Sequence, residues 1–385
     1  MLIGAAGVLT TLHAAPPTTA QPVPAPPVLA GAAGFAGFAP LTARPAPESL
    51  EIKHGGAGAA KPMRQRAALP VDVVAAGRLL TTSGHSVDLS GVGAVRQASR
   101  SGSGWLVVTG EPESTTRSLW RVQASGRQEA LVDGADAFVL AADGSRAAWR
   151  AGGELVVARI AATGIVDPRR TPVPAAAAPV ALIGDGVLVA RTSAGGGIDG
   201  YDVWWPAQGP FAPTWAGGLT AIYGAMPDGR TLVAARNRPG GPDRMPQDGD
   251  LDGTYITAAQ SGVCLVLLDT TDVFRQRTAA CGLGLATGRA GRVSPDGRWL
   301  LAQSVTGSAI LVDLAEAASG RGGTAVVGPG PVGDPVWLDA GTVVYGPSEG
   351  ALVRLRVPVE GTGAATADTL ALPDLSATLQ ALIAP

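Results

Sequence analysis

From Leu69 onward the chain alternates short apolar runs with clusters of Gly, Pro, Asp and Ser. The runs are rich in Val, Leu, Ala and Trp: WLVVTG from Trp105, VLVAR from Val187, TLVAAR from Thr231, WLLAQ from Trp299 and TVVYG from Thr342. Short apolar runs bounded by turn formers are the pattern of β-strands. The pattern predicts many strands joined by tight turns and no long helix, because so many helix breakers would interrupt one.

One turn-plus-strand segment recurs. Ser294-Pro295-Asp296-Gly297-Arg298-Trp299-Leu300-Leu301-Ala302 has a near copy in Met226-Pro227-Asp228-Gly229-Arg230-Thr231-Leu232-Val233-Ala234, and a weaker one in Ala142-Asp143-Gly144-Ser145-Arg146-Ala147-Ala148-Trp149. The chemistry is that of a hairpin. Pro presets φ, Asp hydrogen-bonds its own backbone, and Gly takes a left-handed conformation before the strand begins. Looser copies keep the glycine and the strand at Gly77, Gly104, Gly186 and Gly341. Successive glycines are 27, 40, 42, 43, 68 and 44 residues apart. Four of the six intervals match the length of one four-stranded propeller blade. A second apolar strand follows each copy, as in Ser118–Val122, Glu154–Ala158, Tyr201–Trp205, Cys264–Leu268, Ala309–Asp313 and Ala351–Leu355. A further short strand comes after it, for example RQEALV, APTWAG or TAVVG. The expectation is an all-β, seven-bladed β-propeller of four-stranded antiparallel blades, with six blades as the alternative. Each of the seven glycines should lie in the hairpin between the first and second strands of its blade.

The Ser-Pro-Asp-Gly turn, its strand, and the later strand of the form apolar-x-apolar-x-Asp resemble the TolB-like, WD40-like β-propeller repeats. The resemblance spans residues 70–372, most specifically 227–234 and 294–302. It implies a ring of radial sheets, often exported and often used for protein contacts. Binding residues in that family follow no fixed motif, so the resemblance carries none over.

Two intervals depart from the period. The first is one strand short, and a ring closes only if another segment supplies that strand. Ser49–Lys53 and the tail Thr378–Ile383 are the candidates. The fifth holds an insertion near residues 237–262, expected to leave one face between the second and third strands of its blade. Long loops on a rigid scaffold carry function more often than the scaffold does.

Composition narrows the function. The 385 residues include 54 Gly and 31 Pro, and the formal net charge is −2. Such a balance offers no field for nucleic acid or anionic lipid. His13, His54 and His85 are the three histidines. Only His85 falls within the repeats, which excludes a His-rich metal centre. Residues 1–20 read as a signal-peptide-like leader without a positive n-region. Residues 21–68 form a Pro/Ala-rich linker, and residues 69–385 form the propeller, with no transmembrane span in that mature domain.

Several residue groups carry chemistry. Asp248, Asp250 and Asp252 open a D-x-D-x-D-G calcium-loop pattern, with Ala259 where an EF-hand needs its bidentate Glu. A solvated acidic loop is the alternative, and no cofactor is required for the fold. Cys264 and Cys281 are the only cysteines. Antiparallel pairing around a turn near 270–275 sets them opposite each other, at disulfide distance in the fifth blade. Tyr201, Trp204 and Trp205 are the densest aromatic cluster, suited either to binding at a rim or to packing between blades. Gly346–Gly350 matches G-x-S-x-G, but a strand follows and no histidine lies beyond His85, so it reads as a hairpin turn. Gly328–Gly333 matches G-x-G-x-x-G with two prolines inside, which suits a connector rather than a phosphate loop. His85 with Ser86 and Asp88 reads as a surface strand. The expected function is an exported, monomeric scaffold that binds a protein or other macromolecule at the cell envelope. A propeller lyase or hydrolase, with carboxylates and calcium at the axial mouth, is the alternative.

Overall fold

The computed structural model describes residues 69–383 except 112–113, 239–261, 289, 321–322, 348–350, 359–364 and 372–378. Everything described here belongs to one compact unit. The leader, the linker and Ser49–Lys53 lie outside the described residues.

Seven antiparallel sheets follow one another around a ring. Blade 2 runs Val95–Ser101, Gly104–Thr109, Arg117–Gln123 and Gln128–Ala135 from its first strand to its fourth. Blades 3, 5, 6 and 7 repeat this meander over residues 137–172, 219–281, 291–329 and 336–371. First strands of successive blades pack beside one another, which places them innermost. In blade 1 the innermost strand is Leu379–Ile383, from the end of the chain, paired with Asp72–Ala75 in the order Val73 to Leu382 and Val74 to Ala381. The tail is therefore the strand that the short first interval required. Because it occupies the first place, Asp72–Ala75 is the second strand of blade 1 and Arg78–Leu80 the third. Gly77 thus lies in a second-to-third turn, a correction to its expected place. The other six anchor glycines lie in or at the first-to-second hairpins.

Blade 4 departs from four strands. It contains Ala177–Ile183, Gly186–Thr192 and Ile198–Trp204, and its fourth strand is reduced to a single bridge between Tyr201 and Ala216. The segment after Trp205 carries Pro206, Pro210 and Pro213, which cannot donate to a ladder. It makes a 3₁₀ turn at Pro206–Gln208 and tucks Phe211 and Trp215 against the blade, with their rings edge to face at 5.8 Å.

Seven apolar clusters fill the seven interfaces between blades. In the second strand of blade 4, Val187 and Val189 face blade 3 while Leu188 and Ala190 face blade 5. Both sides of a blade are thus buried. This is why its central strands read as continuous apolar runs rather than alternating ones.

In each four-strand meander the first-to-second and third-to-fourth turns fall on one face of the ring. The second-to-third turn and the crossing to the next blade fall on the other. We call these the turn face and the insertion face. On the turn face several hairpins pack on hairpins of the next blade. A Cβ on Gly144, at φ 64°, would lie 2.1 Å from the Arg100 carbonyl oxygen of the preceding blade. Gly297 packs likewise on Pro227, with a Cβ 2.5 Å from its Cδ, so the repeated Pro-Asp-Gly turns stack across the interface. At the closure, the buried Asp72 carboxylate accepts from Trp105 Nε1 (2.8 Å), Arg100 Nη1 (3.0 Å) and the Thr82 amide (2.8 Å), joining blades 1 and 2.

Candidate functional site

The insertion leaves blade 5 between its second strand, Thr231–Asn237, and its third, Val263–Asp269, as expected. The Arg238 amide donates to the Gly262 carbonyl at 2.6 Å, which closes the base of the loop. Asp248, Asp250 and Asp252 lie outside the described residues. Among the described residues no group of three or more His, Cys, Asp or Glu side chains is placed to hold a metal ion. Beside the base, Cys264 and Cys281 are register partners on the third and fourth strands and form a disulfide. Cys264 is buried and Cys281 exposed.

The aromatic cluster divides between two interfaces. Tyr201 is 6% exposed and packs between blades 4 and 5, while Trp204 is 3% exposed and packs between blades 3 and 4. Trp204 Nε1 donates to the Gly209 carbonyl at 2.9 Å. Burial pushes the Tyr201 hydroxyl and the Asp202 carboxyl up from their ordinary pKa values. Trp205 alone of the three is half-exposed, with its ring close against Gly186. His85 stands in an exposed turn just before Ser86–Asp88, its Nδ1 3.0 Å from the Ser83 hydroxyl. Gly328–Gly333 crosses from blade 6 to blade 7. Gly346–Gly350 spans the second-to-third turn of blade 7, and its Ser348 lies outside the described residues.

Sequence reasoning did not single out the residues that meet at the axial mouth. A cavity of about 440 Å³ opens there, lined by Arg96, Arg117, Asp136, Phe138, Val180 and Asp334 among others. Blades 2, 3, 4 and 7 contribute these side chains. Arg96 Nε donates to the Gly110 carbonyl at 3.0 Å. Arg117 Nη1 donates to the Thr116 carbonyl at 2.9 Å and to that of Ser114. One short turn between the second and third strands of blade 2 therefore tethers both guanidinium groups. Asp136 Oδ2 lies 3.7 Å from Arg150 Nε, a loose ion pair on the next blade. Val108, Phe138 and Val139 add apolar side chains to a lining that is otherwise mostly polar. A faint sequence signal existed: Arg96 and Asp136 each stand eight residues before a repeat glycine, Gly104 and Gly144.

Exposed apolar side chains also favour this face. Ile198 borders the second-to-third turn of blade 4, Val305 lies in that turn of blade 6, and Val332 lies in the crossing to blade 7. They are 48%, 42% and 62% exposed, and Val180 at the mouth is 40% exposed. Val273, on a third-to-fourth turn, is the counterpart on the turn face. No helix among the described residues is long and apolar enough to cross a membrane.

No protein-family model matches the chain, and no curated protein matches it. Among solved structures, a chain of the mitotic checkpoint complex crystal structure is similar at 13% identity, covering 85% of this chain and 90% of that one, with a TM-score of 0.48. A functionally unknown protein from Desulfotomaculum acetoxidans is similar at 12% identity, covering 80% and 95%, with a TM-score of 0.46. At these distances neither transfers a function to this chain.

Proposed function

We propose that this propeller is an exported, monomeric scaffold that binds a protein or other macromolecule at the cell envelope through its insertion face. The observation that carries the reading is the asymmetry of the two faces. On the turn face, glycine turns pack closely across blade interfaces at Gly144 on Arg100, Gly184 on Gly229 and Gly297 on Pro227. The insertion face bears the long loop, the charged mouth and most of the exposed large apolar side chains. Apolar side chains left in water beside a rigid cavity mark an interaction surface. The disulfide supports export, since such bonds persist in oxidising compartments. Calcium at Asp248, Asp250 and Asp252, ordering the loop for its partner, belongs to the same proposal, as does Trp205 as an aromatic contact.

Site-directed photo-crosslinking tests the reading. A photoreactive residue replacing Val305 or Val332 in the full chain should trap a defined adduct in the cell envelope. The same residue at Val273 should trap none. Equal adducts from both faces, or none from the insertion face, would overturn it. The second reading is a carboxylate-based lyase or hydrolase at the mouth, favoured by Asp136 and Asp334 lining one cavity. It requires turnover that is lost in Asp136→Asn or Asp334→Asn, and binding without turnover argues for the scaffold.

A further inference from the structure

The geometry of the mouth points to a specific ligand chemistry. We propose that Arg96 and Arg117 bind a carboxylate carried on an apolar group, and that this group is the free C-terminal residue of a polypeptide. The inference rests on the insertion-face reading and names what its mouth would accept. Three observations converge on it.

The first is the state of the two arginines. Many guanidinium groups elsewhere are matched by carboxylates, as in Arg150 with Asp136, Arg191 with Asp199 and Arg354 with Asp368. Among the described residues neither Arg96 nor Arg117 has a carboxylate within ion-pair distance, although both line a cavity. Their hydrogen bonds instead run to main-chain carbonyls of one turn: Gly110 for Arg96, Ser114 and Thr116 for Arg117. Carbonyl tethers hold a guanidinium in place without neutralising it. The remaining N–H groups form a fixed cationic fork, and the entropy of ordering it is already spent in folding. Planar N–H pairs match a carboxylate in two parallel hydrogen bonds.

The second is the apolar part of the lining. Phe138 and Val180 leave apolar surface next to the arginines, backed by the buried Val108 and Val139. A bare inorganic anion would leave that surface in water, whereas an apolar body attached to the carboxylate would cover it. At about 440 Å³ the cavity holds a terminal residue and part of the one before it.

The third is the carboxylates on the same lining: Asp136, loosely paired with Arg150, and Asp334. Asp334 is exposed and contributed by the connector before blade 7. A negative group there disfavours phosphate dianions. It supplies an acceptor for main-chain N–H groups, which a peptide brings and a simple carboxylic acid lacks. An Arg pair, apolar side chains beside it and carboxylate acceptors on the same lining together describe the end of a peptide chain better than a free acid.

The test uses the full chain and a library of acetylated hexapeptides ending in Leu, Val or Phe, prepared once as free acids and once as C-terminal amides. Binding is read by fluorescence polarisation, with 3-phenylpropionate as the small-acid probe. The free-acid library should bind about ten- to hundredfold tighter than the amide library, the range expected for hydrogen bonds to a charged group. Arg96→Ala should erase the difference, and its unchanged thermal melt will show that the fold is intact. Arg117→Lys, which keeps the charge and loses the fork, should weaken the acids by about tenfold. Asp334→Ala should weaken the peptide acids and leave 3-phenylpropionate unaffected. Equal binding of acids and amides, or no binding at millimolar peptide, would overturn the proposal. Affinity for 3-phenylpropionate equal to that of the peptides would overturn the peptide assignment. If Arg96→Ala still yields the envelope adducts from Val305 and Val332, the scaffold reading stands and this inference alone fails.

Discussion

Removing the disulfide is the most direct test of how blade 5 is held at the foot of the insertion. Cys264 and Cys281 are separated by 17 residues, so the bond closes one short loop of the unfolded chain. The chain-entropy relation for a loop of that size gives about 3 kcal/mol of stabilisation, exerted through the unfolded state. Unfolding entropy near 2.1 cal/mol/K per residue makes a domain of about 300 residues lose only ~1.5 °C per kcal/mol. Reducing the bond in the wild type should therefore lower Tm by about 5 °C. Cys264→Ala with Cys281→Ala should lower it slightly further. Cys264 is 3% exposed, and the lost sulfur leaves a small void worth about 1 kcal/mol, whereas Cys281 is exposed and leaves none. The assay is differential scanning calorimetry of oxidised, reduced and doubly substituted protein, with near-UV circular dichroism confirming a common native state. Thiol titration of the unreduced, denatured wild type should find no free cysteine. A reduced protein melting with the oxidised one would refute the reasoning, as would two titratable thiols.

Four further outcomes follow from the fold. Gly126→Ala should cost about 1 kcal/mol, because its φ of 85° is left-handed and nothing lies near its Cβ, while Gly144→Ala should cost about 3 kcal/mol or more through collision with the Arg100 carbonyl, both read from urea melts. Deleting residues 379–385 removes the innermost strand of blade 1 and uncovers the cluster around Ile383. It should abolish the cooperative melt and most of a domain's usual ~5–15 kcal/mol. Asp72→Ala strands the Trp105 and Thr82 donors and should cost about 3 kcal/mol by chemical denaturation. Arg277, by its hydrogen bond, and then Thr271 hold the Asp269 carboxyl well below the usual range. A depressed folded pKa stabilises above the unfolded value near ~4 and is lost as pH falls below it. Wild type and Asp269→Asn should therefore differ in Tm at neutral pH and converge in acid.

The period could be read from sequence because the repeated turn answers a strict local demand. Where hairpins stack as Gly144 does on Arg100 and Gly297 on Pro227, only glycine fits, so the position is marked in those blades. What depended on ring closure was less accessible. Gly77 carries the same glycine-then-strand signal, with φ 70°, yet it belongs to a different turn because the tail displaces the N-terminal strands by one place. Local pattern records a tight turn and does not say which one. In the same way APTWAG looked like a strand, and Pro213 with the neighbouring glycines left it one bridge.

The site was hidden for a related reason. Tyr201, Trp204 and Trp205 stood out by size, but a blade buried on both sides absorbs large side chains at alternate positions into two different interfaces. Tyr201 and Trp204 did so. Arg96, Arg117, Asp136 and Asp334 belong to three blades, and no local window contains them together. Asp334 becomes a neighbour of the others only when the ring closes on Leu379–Ile383. This places different constraints on the two faces. On the turn face hairpins such as those of Gly144 and Gly297 are held by the blade beside them, so a side chain added at such a position costs folding stability. On the insertion face the turns and crossings are pinned through their backbones, as the Val332 amide is to the Gly346 carbonyl and the Val305 amide to that of Gly284, while side chains such as Val305 and Val332 stay exposed and can vary with little effect on the ring. A binding surface can evolve where sequence is free and the scaffold beneath is rigid. In this molecule both conditions are met at the mouth and at the foot of the blade 5 loop.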